Sequence, residues 1–276
     1  MNTAFHALCA RLKAAGVPDA RFDAAQLYRF VTGRDPRLDD GPSETESARL
    51  EQLAARRAAR EPLQYLLGEW DFLDFTLQVG PGVLCPRADS EVVCEEAVAL
   101  LRGVEHPVVL DLCAGTGCLG LGVSRECPGA QVLCVEKSPE AWHYLTLNTA
   151  HTPVRTVQAD VFTWYKTQPA EFVDLILSNP PYLTAEEMNN LMPETAHEPS
   201  QALDGGADGL DFYRLLTAYY GTLLRPGGWL VLEIGCRQAR EVLALGAAYG
   251  WQNGRCRQDY GGNDRVIVLQ KPPKRG

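Results

Sequence analysis

Apolar residues in the first sixty positions recur with a helical period. Ala4, Phe5, Leu8 and Leu12 share one face of a first helix, and Asp19 is placed to cap a second that carries Phe22, Leu27 and Phe30 and stops at Gly33. Ser43-Glu44-Thr45-Glu46 spells a capping box for a third helix running through Leu50 and Leu53. Its end carries Arg56, Arg57 and Arg60, which suit the partial negative charge of a helix C-terminus, and Pro62 closes it. From Gly68 to Leu84 the period changes to alternation, with Trp70, Phe72, Phe75, Leu77 and Val79, and predicts a β-hairpin.

After residue 85 short apolar runs alternate with helical stretches. Strands are expected at 108–112, 131–135, 156–158, 172–177 and 229–234, the pattern of a parallel sheet covered on both faces. The end departs from it: 251–255 and 265–269 are joined by QDYGGND and read as an antiparallel hairpin at the sheet's edge. The expected fold is α/β, a doubly wound sheet with a terminal antiparallel hairpin plus a small N-terminal helical domain. Its parts are a helical domain (1–67), a β-hairpin connector (68–84) and the α/β domain (85–276).

Composition narrows the class without naming a function. The 276 residues, 46% hydrophobic and 22% charged, can bury a core without disulfides and are too apolar for a disordered chain. With 26 Lys and Arg against 35 Asp and Glu, the net charge of −9 argues against a protein built to neutralise nucleic-acid phosphates, though a local basic patch stays open. Nine cysteines, none in a C-x-x-C pair, predict neither a disulfide framework nor a zinc site. The N-terminal stretch lacks the basic and apolar regions of a signal peptide, and no run is long enough to span a bilayer, so a soluble, cytoplasmic protein is expected.

The segment Val109 to Gly120 carries Gly115, Gly117 and Gly120 as G-x-G-x-x-G between an expected strand and helix, and Glu136 closes the next strand where it can take a ribose diol. Read alone, this is compatible with NAD or with a glycine-rich turn that binds nothing. Asp111, entering the loop, favours a different ligand. A pyrophosphate would face its carboxylate at close range, whereas the ammonium of S-adenosylmethionine would be attracted to it. That cofactor also has a ribose diol for Glu136 and no phosphate.

A second constellation follows the strand at 172–177: Asn179, Pro180, Pro181 and Tyr182. Ligands bind beyond the carboxyl ends of strands in open α/β sheets, so this turn is expected beside the glycine loop. Two prolines fix φ and donate no hydrogen bonds, leaving the Asn179 side-chain oxygen and the Pro180 carbonyl as rigid acceptors beside an aromatic face. Such a site fits a planar NH2. Its two N–H bonds would be held, its nitrogen aimed at a methyl donor, and Tyr182 would cover its face. An amide nitrogen is weakened by resonance, so catalysis would rest on orientation and on stabilising the charge that develops on nitrogen. The bland reading is a proline-rich structural turn; the position after the fourth strand argues against it.

DLCAGTG with Glu136, NPPY and the closing DYGGNDRV resemble the class I S-adenosylmethionine-dependent methyltransferases. More narrowly, the chain resembles the peptide chain release factor glutamine N5-methyltransferases (PrmC, also called HemK). The resemblance covers almost the whole chain and includes REPLQYLLGEWDFLDF, LCPRADSE, NPPYLTAEEM, HEPSQALDGGADGLDFYR and LRPGGWLVLEIG. It implies methyl transfer from S-adenosylmethionine to the side-chain amide of the glutamine in the Gly-Gly-Gln motif of class 1 release factors, by a monomer without stable nucleic-acid or membrane partners. By position, Asp111, Cys113, Ala114, Gly115, Thr116, Gly117, Glu136, Asp160, Val161 and Asn179 would hold the cofactor. Asn179, Pro180, Pro181 and Tyr182 would hold the glutamine, with Asn179, Pro180 and Tyr182 catalytic. Two positions depart from the family pattern: Cys113-Ala114 precedes Gly115, and Glu136 stands where Asp is more common. Val161 supplies no aromatic surface for adenine, so other apolar walls are expected.

Remaining candidates are weaker. Arg87 and Glu91 are placed to reach the cofactor's methionine end or simply to start a helix, and Glu233 is either structural or substrate-facing. Asp204, Asp208 and Asp211 read as solvated turns or a loop meeting the release factor. Arg56, Arg57 and Arg60 read as a helix end before a docking patch. The five His show no metal spacing. NPPY also occurs in amino-methyltransferases of DNA, but that reading requires a basic cleft and a base-flipping domain. A cofactor-binding protein without catalysis is a third class, separable by substituting Asn179.

Overall fold

The computed structural model describes residues 2–274; residues 1, 275 and 276 of the expected domain ranges lie outside it. The chain forms two compact units, and neither is a single stretch. One holds the residues up to Trp70 together with Val79–Pro81 and Leu191–Glu198; the other holds Asp71–Gln78, Gly82–Asn190 and Pro199–Gly276. The expected cuts at 67 and 84 therefore miss a return of the chain.

In the first unit α1 (Thr3–Ala14), α2 (Ala20–Thr32), α3 (Glu44–Ala58) and α4 (Leu63–Leu67) bury Leu12, Ala24, Leu27 and Tyr28 completely, with Leu53 and Leu63 among them. Gly33 ends α2 with φ 68°, and both hydrogen bonds of the Ser43–Glu46 capping box are present. Three local expectations fail. Asp19 makes no side-chain cap bond. Phe22 and Phe30 are 51% and 38% exposed, because α2 turns its Ala20/Ala24/Leu27/Tyr28 face to the core. Pro62 closes nothing; it is the N-cap of α4, where its missing N–H costs no helical bond.

The excursion Leu191–Glu198 is held in this unit by charge. Glu194 accepts from Arg57 Nη2 at 2.8 Å and from Arg60 Nε and Nη2, both at 2.6 Å, while Arg57 Nε donates to Asp23 at 2.7 Å. Burial alone raises the Glu194 pKa, but the Arg60 and Arg57 hydrogen bonds bring it down to about 2. Asp23 shifts upward, since burial outweighs its single arginine.

The second unit contains the two-stranded sheet β1–β2 (Glu69–Phe72, Phe75–Gln78, the first strand starting in the other unit), then α5 (Glu91–Leu100), β3 (Val108–Leu112), α6 (Cys118–Glu126), β4 (Gln131–Glu136), α7 (Pro139–Thr149), β5 (Arg155–Gln158), α8 (Val161–Trp164), β6 (Val173–Ser178), α9 (Ala185–Met188), α10 (Asp211–Tyr219), β7 (Leu224–Glu233), α11 (Ala239–Ala248), β8 (Gln252–Gln258) and β9 (Asp264–Gln270). Seven strands align as β5-β4-β3-β6-β7-β9-β8. The first five are parallel, and β9 inserts antiparallel between β7 and β8. This is the doubly wound α/β fold with its closing antiparallel hairpin. Leu110, Leu112, Ile176, Leu230 and Leu232 are fully buried at the sheet's centre. The chain runs outward from β3 to β4 and β5, then returns to lay β6 on the other side of β3. That reversal opens a crevice beyond the carboxyl ends of β3 and β6.

Candidate active site

The strand ends converge on one cleft of about 1020 Å³, open mouth included. The loop after β3 forms its floor. Ala114 N–H donates to the Val135 carbonyl at 3.1 Å, and Asn148 on α7 holds the Thr116 carbonyl at 3.0 Å. Gly117 starts α6 at φ 83°, and a Cβ there would lie 2.7 Å from Leu145 Cδ1. Cys113 adopts φ 58°, a left-handed conformation costing about 1–2 kcal/mol for a residue with a Cβ.

Glu136, at the end of β4, faces the loop. Its Oε2 accepts the Gly115 N–H at 2.8 Å, and its Oε1 accepts those of Lys137 and Ser138, each at 2.7 Å. Those three bonds fix the carboxylate and leave one lone pair, on Oε2, for a ligand. Asp160 caps α8 through Phe162 N–H at 2.9 Å and pairs with Lys137 at 2.8 Å. Phe162 and Phe212, in edge contact at 5.1 Å between centroids, both line the cleft with Val161.

On the opposite side Asn179 and Pro181 line the same cleft. Ser178 Oγ donates to the Leu112 carbonyl at 2.6 Å, tying the start of this turn to the end of β3. Asn179 Nδ2 makes a long contact of 3.5 Å to Ser90 Oγ. Beyond the turn, the Leu183 N–H donates to the Leu203 carbonyl at 2.8 Å and the Gly205 N–H to the Leu183 carbonyl at 2.9 Å. Gln238 Nε2 donates to the carbonyls of Tyr182 and Gly209 at 2.9 and 3.2 Å.

Two family models match this sequence: the PrmC N-terminal domain over residues 3–68 and the methyltransferase small domain over 96–207. The release factor glutamine methyltransferase of Geobacter sulfurreducens is 39% identical over 91% of this chain and 90% of its own length. That of Cereibacter sphaeroides is 37% identical over 98% of both chains. The chain belongs to the release factor glutamine methyltransferase family. A solved protein-(glutamine-N5) methyltransferase from Alicyclobacillus acidocaldarius aligns at a TM-score of 0.45 and 29% identity, over 71% of this chain and 99% of that one.

In this release factor glutamine methyltransferase family member, the cleft gathers Cys113, Ala114, Gly115, Thr116, Glu136, Asp160, Val161, Asn179 and Pro181 from the expected set. It does not gather Asp111. That side chain is 1% exposed and turned under the loop, where Oδ2 accepts the Gly120 N–H at 2.8 Å and Oδ1 has no hydrogen-bond partner. Burial pushes its pKa up to about 7. Asp111 thus holds the glycine loop and the start of α6 in place, which corrects the expectation that it faces a ligand's ammonium. Gly117, Pro180 and Tyr182 also stand behind the lining, Pro180 buried and Tyr182 packed on the main core. Burial lifts the Tyr182 hydroxyl to about 12.

Glu91 is turned away as well, accepting the Leu73 N–H at 3.0 Å, whereas Arg87 lines the cleft. Asp208 and Asp211 pair with Arg214, and Asp204 closes its own turn on Gly206. Sequence reasoning missed Ser90, Phe162, Phe212 and Gln238. Phe162 adjoins Asp160 and Val161 and supplies the aromatic surface that Val161 lacks; the others come close only through the fold.

Proposed function

We propose that this chain transfers a methyl group from S-adenosylmethionine to the side-chain amide nitrogen (N5) of the glutamine in the Gly-Gly-Gln motif of class 1 release factors, supporting translation termination. The observation that carries this reading is one cleft lined both by the Gly115 loop with Glu136 and by Asn179. The residues fit the cofactor: a glycine loop with fixed backbone, a carboxylate with a free lone pair for a ribose hydroxyl, and the Phe162/Phe212 wall for a flat base. When bound, the cofactor supplies an electrophilic methyl on sulfur.

The protein's own residues then orient the acceptor. Asn179 Oδ1, at the cleft wall, accepts one amide N–H; the Pro180 carbonyl as second acceptor and Tyr182 as cover of the planar face stand behind that wall and would have to turn toward the glutamine when it binds. The same acceptors stabilise the positive charge that develops on nitrogen. No side chain need act as a base before transfer, because the proton is lost after the nitrogen becomes cationic. The helical residues 1–67 present the release factor, and the enzyme works as a cytoplasmic monomer without stable nucleic-acid contact. The net charge of −9 supports the last point.

The test supplies methyl-labelled S-adenosylmethionine with a class 1 release factor, its Gly-Gly-Gln glutamine changed to Ala, or single-stranded DNA. Label entering only the unaltered release factor is expected; label entering DNA instead would overturn the assignment.

A further inference from the structure

Asn179 stands in a turn whose two ends are held by different side chains. At the entry Ser178 Oγ donates to the Leu112 carbonyl at 2.6 Å. At the exit Gln238 Nε2 donates to the Tyr182 carbonyl at 2.9 Å and to the Gly209 carbonyl at 3.2 Å, while its Oε1 accepts the Gly235 N–H at 2.9 Å. Gln238 is half-buried at the N-cap of α11, yet its side chain caps nothing there. We propose that Gln238 is a positioning residue: by clasping the Tyr182 carbonyl it keeps Asn179 at the cleft wall, in place to receive the substrate amide. This deepens the glutamine-transfer reading above and rests on it.

Donors and acceptors fix which way the Gln238 amide faces. The Gly235 N–H can only donate, so it takes the amide oxygen; the two carbonyls can only accept, so they take the NH2. All three partners are backbone groups, and they come from separate segments: the Asn-Pro-Pro-Tyr turn, the loop ahead of α10 and the residues after β7. Glycine makes the junction possible. A Cβ on Gly209, where φ is 74°, would strike the Tyr182 carbonyl oxygen and lie 2.7 Å from Gln238 Nε2, and one on Gly235 would lie 3.0 Å from Gln238 Oε1. Neither glycine lines the cleft, so the close approach serves the clasp and not a ligand.

The prolines carry the effect back to Asn179. Pro180 and Pro181 have fixed φ, so a shift at Tyr182 is passed along the turn instead of being absorbed in it. The clasp holds the main chain of Tyr182, not its ring, so the ring can still turn toward a bound glutamine. With the exit loose, Asn179 Oδ1 takes up positions from which a substrate N–H is missed, and misplacement by about 1 Å can cost on the order of 100-fold in rate. The cofactor end of the cleft is built from other groups, Glu136 and the Gly115 loop, and does not depend on the clasp.

The experiment uses the full chain with S-adenosylmethionine and a class 1 release factor. Gln238→Met keeps the length of the side chain and removes its hydrogen bonds; Gln238→Glu keeps an acceptor for Gly235 but turns another acceptor toward both carbonyls. kcat should fall by about tenfold in Gln238→Met and further in Gln238→Glu, with KM for the release factor and Kd for S-adenosylmethionine each within about threefold of wild type. In an Asn179→Ala background Gln238→Met should lower the residual rate by less than about threefold, because the group it positions is gone. Unchanged kcat in both single variants would overturn the proposal. So would a loss of cofactor affinity that matches the loss of kcat, or a tenfold loss that persists without Asn179. Wild type that binds cofactor but methylates no glutamine would overturn the functional reading and this inference with it, a result read before any variant is made.

Discussion

The Gly115 amide donates to Glu136 Oε2 at 2.8 Å, so the carboxylate that closes β4 is bound to the glycine loop that closes β3. With the Lys137 and Ser138 amides on its other oxygen, Glu136 shapes the loop and at the same time presents itself to the proposed ribose.

Replacing Glu136 therefore removes both functions. Charge-assisted bonds of this kind are worth about 1.5–3 kcal/mol, so Glu136→Ala should weaken S-adenosylmethionine by roughly 10- to 100-fold, with Glu136→Gln between. Isothermal titration calorimetry reads this directly, and an unchanged Kd would contradict it.

Asp111 makes stability pH-dependent. Burial raises its folded-state pKa to about 7, against the lowering pull of the Gly120 amide and of Cys134, with the Glu136 charge adding to the rise. The native state then holds a proton that the unfolded chain releases from about pH 4 upward, so this group's contribution falls as pH rises from about 4 to about 7. Asp111→Asn cannot ionise. Its stability relative to wild type should improve across that window by on the order of 2 kcal/mol, measured by urea unfolding at several pH values. A constant difference would refute the assignment.

Glu194 has the opposite sign. Its folded pKa, brought down to about 2 by Arg60 and Arg57 against the effect of burial, gives stability that is complete above about pH 4.3 and lost as pH falls toward 2. Glu194→Gln should cost on the order of 2 kcal/mol at neutral pH, with the gap closing in acid. The loss stays moderate because Arg57 keeps Asp23 at 2.7 Å.

Gly205 lets the chain pass close behind the Asn-Pro-Pro-Tyr turn. A Cβ there would sit 2.8 Å from Tyr182 Cα and 2.9 Å from the Pro181 carbonyl oxygen, backbone atoms with nowhere to go. Gly205→Ala should cut methyl transfer by about tenfold or more while cofactor affinity stays within about threefold, since the glycine loop is untouched. Equal losses in both would point to general unfolding.

Much of this was legible in the sequence because it is local or periodic. Strand runs such as Val108–Leu112, the Gly115 loop and Glu136 at the next strand end fix the sheet and its crevice, and the closing hairpin is spelled by its turn. The misses are long-range. Phe22 and Phe30 have the spacing of a buried stripe, yet α2 has a smaller face, Ala20/Ala24/Leu27/Tyr28, that packs more closely. Asp111 stands where a ligand contact is plausible; only the position of Gly120 and Cys134 shows that it points under the loop. Ser90 and Asn179 are far apart along the chain and have no joint pattern, so they meet only when β6 and the start of α5 are assembled.

The central claim is tested most directly by mass spectrometry of a class 1 release factor incubated with S-adenosylmethionine and either wild type or Asn179→Ala. The account predicts one added methyl, mapped to the Gly-Gly-Gln glutamine, with wild type, and little or none with Asn179→Ala despite retained cofactor binding. That loss follows from a substrate N–H left unpaired at about 1–3 kcal/mol, with the resulting misorientation adding to it. Equal methylation by both proteins, or no methylation of that glutamine by a wild type that binds the cofactor, would contradict it.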